Sequence, residues 1–334
     1  MPQVAIHGDG VAGCCCAVLL DAAGISAAIE RADHARVPAL MVGEPTQALI
    51  ADALGKSGLF DGLTRIERRI VKWGRDAESR ILPHSAAVIS EQELAARLRG
   101  LPANTGAAAP VWTILASRPI PATSIEHHFG SRVATASAVA LRQSADSAAC
   151  WIESLEDGWL FLVPSKPGHA WLLSVGAPSL LEKSRLIAGQ IDDVTASGGE
   201  FPAHPRIVDP ICGENWLACG SAAIGFDPVC GDGTGNAVRE AILAAAVVRA
   251  VSAGEDRGEV LRHYRARLIA GFHRHLELCR EFYASGHDGP WWQRELRHLD
   301  RGIEWCRAQL AAHPGFQYRL DGFELKAVAS GNLK

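Results

Sequence analysis

The sequence predicts an α/β fold with a parallel-sheet unit at its head, a β-rich insertion and a helical tail. Three observations carry this. Residues 4–32 run through strand, glycine loop, helix and strand in one short stretch. GWLFLVP and HAWLLSVG flank the tetrapeptide SKPG, a hairpin pattern inside a β-rich stretch from 125 to 178. From 254 to 310 apolar side chains recur at steps of three and four, the period of helices packed through one face. With 334 residues, 48% of them hydrophobic and 21% charged, the chain is long enough for two core-bearing units of ordinary globular composition.

Val4, Ala5 and Ile6 form a short apolar run of the kind buried in a parallel sheet. Gly8, Gly10 and Gly13 follow at the spacing G-x-G-x-x-G, and CCCAVLLDAAG continues as a helix that Gly24 stops. ISAAIE is the second strand and ends on Glu30, twenty positions after Gly10. Each part has a physical task in holding a dinucleotide. Gly8 permits the tight turn, Gly10 lets backbone N–H groups approach a pyrophosphate, and Gly13 lets helix and strand pack closely. Val11, Ala12 and Gly13 open the helix, whose positive dipole end faces the phosphates. Glu30 can accept from ribose hydroxyls, with Arg31 beside it. This Rossmann-like unit alone does not choose between NAD and FAD.

Further along, a helix is expected around 47–58, after a GEPT loop at 43–46. A strand is expected at 68–74, with Ile70 and Lys72 on one face and Val71 and Trp73 on the other. Ser90 and Glu93 have the spacing of a capping box. Residues 102–123 read as an irregular connection with a short strand at 111–115. Helices are expected at 178–195 and 254–284, the latter buried through Val260, Tyr264, Leu268, Phe272, Leu276, Cys279 and Tyr283. Another packs through Trp292, Leu296, Leu299, Ile303, Cys306 and Leu310.

Composition excludes several function classes. A net charge of −4 with scattered Lys and Arg gives no nucleic-acid footprint. No apolar run approaches the length of a membrane span, and the N-terminus lacks a signal-peptide pattern, so a cytoplasmic location is expected. Nine cysteines, an odd number without a C-x-x-C pair, predict neither a disulfide framework nor a zinc site; Cys14, Cys15 and Cys16 read as helix packing. His263, His273 and His275 share no clean face and form no H-E-x-x-H, so solvated or capping roles are expected.

WLACGSAAIGFDPVCGDGTGNAVREAILAAAVVRAV, residues 216–251, is the second informative stretch. Glycines 220, 225, 231, 233 and 235 lie between a strand and a long apolar helix, offering a second set of N–H donors. Two such elements at opposite ends of a chain can grip one large ligand along its length. Here the sequence resembles FAD-dependent aromatic hydroxylases and their halogenase-like relatives, through the first motif and through GSAAIGFDPVCGDG. The resemblance touches most of residues 4–250 and is specific at the two ends. It implies a Rossmann-like FAD-binding domain of glutathione-reductase type from 1–105 and 205–252, a β-sheet substrate domain at 106–204, and C-terminal helices at 253–334. It also implies that Gly220, Ser221, Asp227, Pro228, Gly233, Gly235 and Asn236 line the flavin, with Gly43 and Glu44 beside it. Ser221 stands where the family has an aspartate for the ribityl hydroxyls, which implies a looser hold on FAD. The family's middle segment is reduced to ASRP, and the chain is short for the family, which implies a less enclosed substrate site.

By that resemblance the protein is an FAD-dependent monooxygenase that hydroxylates an aromatic substrate through a flavin hydroperoxide. The substrate is free or carried on a peptide or carrier protein, and NAD(P)H or a partner flavin reductase supplies electrons. The cofactor performs the hard step, so no catalytic triad is expected and none is visible. Lys72 lies near the place of the halogenase-like relatives' catalytic lysine, and His84 is a candidate hydrogen-bond donor to the substrate. A flavin-dependent halogenase and a non-catalytic FAD-binding partner protein remain the alternatives.

Overall fold

The computed structural model describes residues 3–32, 36–75, 77–98, 110–312 and 317–328. The head unit forms as its pattern predicts: β1 (Val4–His7), α1 (Val11–Ala22), a turn through left-handed Gly24, and β2 (Ala27–Glu30). Next come β3 (Leu40–Gly43), α2 (Glu44–Leu54), β4 (Thr64–Lys72), β5 (Arg80–Ile89), α3 (Glu91–Leu98) and β6 (Trp112–Leu115). The helix expected at 47–58 starts earlier because extended Gly43 caps it and Pro45 sits in its first turn; Gly55, with φ +59°, ends it. Ser90 Oγ accepts the Glu93 N–H at 3.1 Å as the capping box requires, but the Glu93 carboxylate pairs with Arg97 instead of returning to Ser90.

The middle of the chain is β7 (Ile125–His128), β8 (Val133–Leu141), β9 (Ala149–Leu155), β10 (Gly158–Lys166) and β11 (His169–Gly176), with the SKPG hairpin joining the last two. The helix expected at 178–195 is replaced by α4 (Leu180–Lys183), a 3-10 turn at Ala188–Gln190 and an edge strand, β12 (Ile191–Pro202). The cause is Glu153. Its buried carboxylate accepts from Ser184 Oγ and from the N–H groups of Arg185, Leu186 and Ile187, which pins a turn where a helix would otherwise run. β13 (Arg206–Asp209), β14 (Trp216–Ala218), β15 (Ile224–Gly225), α5 (Gly233–Ser252), α6 (Arg257–Ala284), α7 (Pro290–Ala312), β16 (Tyr318–Asp321) and β17 (Glu324–Ala327) complete the described order.

Two sheets position the site. The first is parallel, in the order β14-β6-β1-β2; the second has eight strands in the order β12-β8-β11-β10-β9-β4-β5-β3. The large sheet thus draws β3, β4 and β5 from the stretch expected to serve the cofactor domain, because β4 pairs in parallel with β9. The expected boundary at 105/106 lies outside the described residues. The core is one cluster spanning α1, the parallel sheet, α5, α6 and α7, with satellites on the large sheet. The Cys14–Cys16 triplet is wholly inside it, and so is every residue of the α6 stripe. No helix among the described residues is long and apolar enough to cross a membrane.

Candidate functional site

All four strands of the parallel sheet end on one side, and the chain changes direction there. From β1 it steps outward to β2, then returns to place β6 on the other flank of β1. In open α/β sheets a ligand crevice forms at such a switch point, beyond the carboxyl ends of the strands. The residues at those ends meet. Gly8, with φ +111°, lies so close to Ser117 that a Cβ there would be 2.3 Å from its Oγ. The Ser117 N–H donates to the His7 carbonyl at 3.0 Å, and the Cys219 N–H donates to Leu115 at 2.9 Å. Ser221 Oγ donates to the Ala116 carbonyl at 3.3 Å.

The two glycine loops therefore converge. A Cβ on Gly220 would be 2.7 Å from the Ala12 Cβ, in the first turn of α1. One turn further on, the sulfurs of Cys16 and Cys219 are 3.9 Å apart. Gly13 touches the turn that leaves β1, since a Cβ there would be 1.9 Å from the Gly8 carbonyl oxygen. A third element joins them. The first turn of α2 meets the start of α5 where Thr46 Oγ1 donates to Asp232 at 3.3 Å, and a Cβ on Gly235 would be 2.8 Å from that Thr46 oxygen. The N-caps of α1, α2 and α5 (Gly10, Gly43 and Asp232) make no side-chain capping bond, so no side chain at these caps occupies the positive helix ends.

Charges around the loops are mostly paired. Glu30 is exposed at the end of β2 and lies 2.6 Å from His7 Nδ1; Arg31 beside it is exposed. Asp9, buried in the first loop, pairs with Arg36, which also reaches Glu91 at 3.6 Å. Gly43 and exposed Glu44 open α2, exposed Gly233 opens α5, and Asn236 accepts from Arg239 at 3.1 Å. Pro228 leads the turn that carries the second loop toward α5.

Asp227 is differently employed from the expectation. Its carboxylate faces inward, 2.8 Å from Arg132 Nε, accepts from Tyr283 at 3.1 Å, and caps the turn by accepting from Val229 N–H. Arg132 also pairs with Glu295 at 2.8 Å and lies over the Tyr283 ring at 4.6 Å. Burial pushes the Asp227 carboxyl up against the pull of Arg132, whereas Arg132 and the Ser131 hydrogen bonds hold Glu295 below its ordinary value. Asp227 thus anchors the loop to α6 and α7 and offers it position.

Glu240, unmarked by any motif, holds the other side. It is buried on α5 and accepts the Gly220 N–H at 2.6 Å, and burial pushes its carboxyl up to about 8. The signal in the sequence is one acid inside the apolar helix AVREAILAAAVVRAV. Glu295 leaves the same trace, one acid in the stripe between Trp292 and Leu299; Arg132 leaves none. Two of the three α6 histidines also depart from expectation. His263 and His275 are buried, and burial pulls them down to about 4 and about 3. His275 Nε2 accepts the Asp227 N–H at 2.9 Å; His273, partly exposed, faces Glu277 at 3.6 Å.

The large sheet separates the two catalytic candidates. Lys72 shares a face with Ile70, Trp151 and Leu160, and its ammonium lies 3.6 Å from Glu153. That cluster is a satellite away from the glycine loops. Trp73, on the opposite face, packs against Trp159 at 6.4 Å and Trp292 at 5.6 Å. Trp159 Nε1 donates to the Tyr283 hydroxyl, which donates to Asp227, so the Trp73 face is the one joined to the second loop. Half-buried Phe161, Leu173 and Phe226 pack on that same central cluster. His84 is beside Arg69 at 3.4 Å; burial and Arg69 both lower its pKa. Arg69 precedes Trp73 by four positions, about 13 Å along a strand.

No protein-family model and no curated protein matches the sequence. Solved structures do match its fold. A peptidyl tryptophan dihydroxylase, QhpG, described as essential for tryptophylquinone cofactor biogenesis, superposes with a TM-score of 0.73 at 18% identity, covering 88% of this chain and 78% of that one. The flavin-dependent halogenase CmlS gives 0.75 at 16% identity over 97% and 83%. Klebsiella pneumoniae HpxO, complexed with FAD and uric acid, gives 0.62 at 18% over 93% and 97%. The chain therefore has the mixed α/β fold, with its large curled sheet, that flavin-dependent halogenases and aromatic hydroxylases share.

Proposed function

From a chain with that fold, we propose an FAD-dependent monooxygenase that hydroxylates an aromatic substrate. The observation that carries this reading is the contact of Gly220 with Ala12, which unites the two glycine loops at the switch point of the parallel sheet. The fit to FAD is good. Gly8, Gly13 and Gly220 let the first loop, α1 and the second loop approach more closely than a Cβ would allow, and the N-termini of α1, α2 and α5 at these loops carry no side-chain caps, which leaves their backbone N–H groups for phosphate and ribityl oxygens. In this reading Gly8, Gly10 and the first turn of α1 (Val11, Ala12, Gly13) hold the pyrophosphate, and Glu30 takes the adenosine ribose with Arg31 at its flank. Gly220 and Ser221 face the ribityl chain. Gly43, Glu44, Pro228, Gly233, Gly235 and Asn236 border the ring system, and Asp227 fixes that border from behind. The cofactor part then comprises 1–105 and 205–252 in the glutathione-reductase manner, with the substrate sheet at 106–204 supplemented by β3–β5.

Bound and reduced, FAD supplies the oxygen chemistry. The protein's own share is orientation and exclusion of water. Trp73, Phe161 and Leu173 give an apolar, aromatic wall against which a ring can stack. The dihydroxylase QhpG acts on a peptidyl tryptophan, and a peptide- or carrier-borne ring suits this chain with its reduced ASRP segment. Electrons come from NAD(P)H or from a partner reductase. Halogenation has less support, because the lysine on which it rests faces Glu153 on the far side of the sheet.

The test is direct. Purified protein titrated with FAD should develop bound-flavin absorbance that NADH, NADPH or a reductase bleaches. Adding aromatic candidates, free and peptide-borne, should speed oxygen consumption and yield a product one oxygen heavier. Absence of flavin binding rejects the proposal, and a halogenated product in the presence of halide replaces hydroxylation with the alternative.

A further inference from the structure

Cys230 and Cys279 lie far apart in the chain and side by side in the fold, with sulfurs 3.4 Å apart. Cys230 is half-buried, in the Pro228–Cys230 turn of the second glycine loop; Cys279 is buried on α6. His275, one helical turn earlier, has Nε2 3.3 Å from the Cys279 sulfur. We propose that Cys230 and Cys279 are a redox-active dithiol that hydrogen peroxide closes into a disulfide, stapling the second glycine loop to α6.

The geometry favours a thiol pair over the metal site that two cysteines and a histidine also suggest. Only three ligand groups cluster here among the described residues. The lone pair of His275 Nε2 already accepts the Asp227 N–H, and a metal would have to displace that bond. A disulfide needs the sulfurs at about 2.05 Å, so an approach of about 1.4 Å suffices. That movement falls on a three-residue turn followed by left-handed Gly231.

The chemistry balances with peroxide as the oxidant. The half-buried Cys230 sulfur attacks one peroxide oxygen, the O–O bond breaks, and the other oxygen leaves as water with the thiol proton. Cys279 sulfur then attacks the sulfenic sulfur of Cys230, the S–O bond breaks, and the hydroxyl leaves as water with the Cys279 proton. Two thiols lose two electrons and peroxide becomes two waters. Burial keeps Cys279 a protonated thiol until its neighbour is oxidised.

A second pair in the same molecule is the internal control. Cys16 and Cys219 are 3.9 Å apart but fully buried, so peroxide cannot reach them without unfolding. The test uses the whole reduced chain without added flavin, titrated with hydrogen peroxide, alkylated and mapped by peptide mass. The expected result is one cross-link joining the Cys230 and Cys279 peptides, a loss of two hydrogens in intact mass, and reversal by dithiothreitol, while Cys16 and Cys219 stay alkylatable after denaturation. Cys230→Ser, checked for folding by near-UV circular dichroism, should leave Cys279 free under the same treatment. Three results overturn the proposal: accumulation of sulfinic Cys230 beside a free Cys279, cross-linking of Cys16 to Cys219 at the same rate, or one tightly held zinc per chain that shields both thiols. None depends on whether FAD binds, so this test and that of the proposed function fail separately.

Discussion

Glu240→Gln should flatten part of the protein's pH–stability profile. The wild-type carboxyl is buried, accepts the Gly220 N–H, and is pushed from an ordinary 4.5 up to about 8. Between those values the folded state keeps a proton that the unfolded chain has released. Stability is therefore full below the unfolded pKa and falls as pH rises toward the folded one, by about 1.4 kcal/mol per pH unit. From about pH 5 to about pH 8 this loss integrates to about 3 kcal/mol. Glutamine keeps a carbonyl for Gly220 and does not titrate, so it lacks the slope. His263 and His275 act in the opposite sense. Their folded pKa values are depressed, so their stabilisation is present above the unfolded value and is lost as pH falls. Comparing variant with wild type at each pH cancels them. Urea unfolding at several pH values should show the gap between the two proteins widening by about 3 kcal/mol in favour of glutamine toward about pH 8. Parallel profiles would refute the reasoning, because they would mean that Glu240 is ionised in the folded protein.

Gly13→Ala places a methyl 1.9 Å from the Gly8 carbonyl, so α1 must move off β1; a cost of about 1–3 kcal/mol in a thermal scan and weaker flavin binding should result, and an unchanged midpoint would contradict the close approach. Arg132→Met leaves Asp227 and Glu295 facing each other in the core without their cation, and unfolding titrations should show a loss of about 3–5 kcal/mol. Lys72→Met should leave substrate-driven flavin reoxidation unchanged, whereas Trp73→Ala slows it; a collapse in the lysine variant at intact stability would return the catalytic role to Lys72.

The head unit was legible in the sequence because its determinants are local. Three glycines at fixed spacing, a helix stop at Gly24 and an acid at Glu30 each answer to backbone geometry within a few residues. The α6 and α7 stripes were legible for the same reason, since helical period is a property of neighbours. The second glycine loop could be seen, but its partner could not. That Gly220 rests on Ala12 follows from strand order, which brings β14 and β6 beside β1. The 178–195 segment misread because Glu153, distant in sequence, supplies the acceptors that bend it. Alternation along β4 separates Lys72 from Trp73, but only the packing of Trp73 against Trp159 and Trp292 decides which face meets the loops. The cores of Arg132, Asp227, Glu295 and Tyr283, and of Cys230, Cys279 and His275, join residues from distant segments. Local periodicity carries no information about such meetings; they exist only once burial has forced each polar group to find its partner in space.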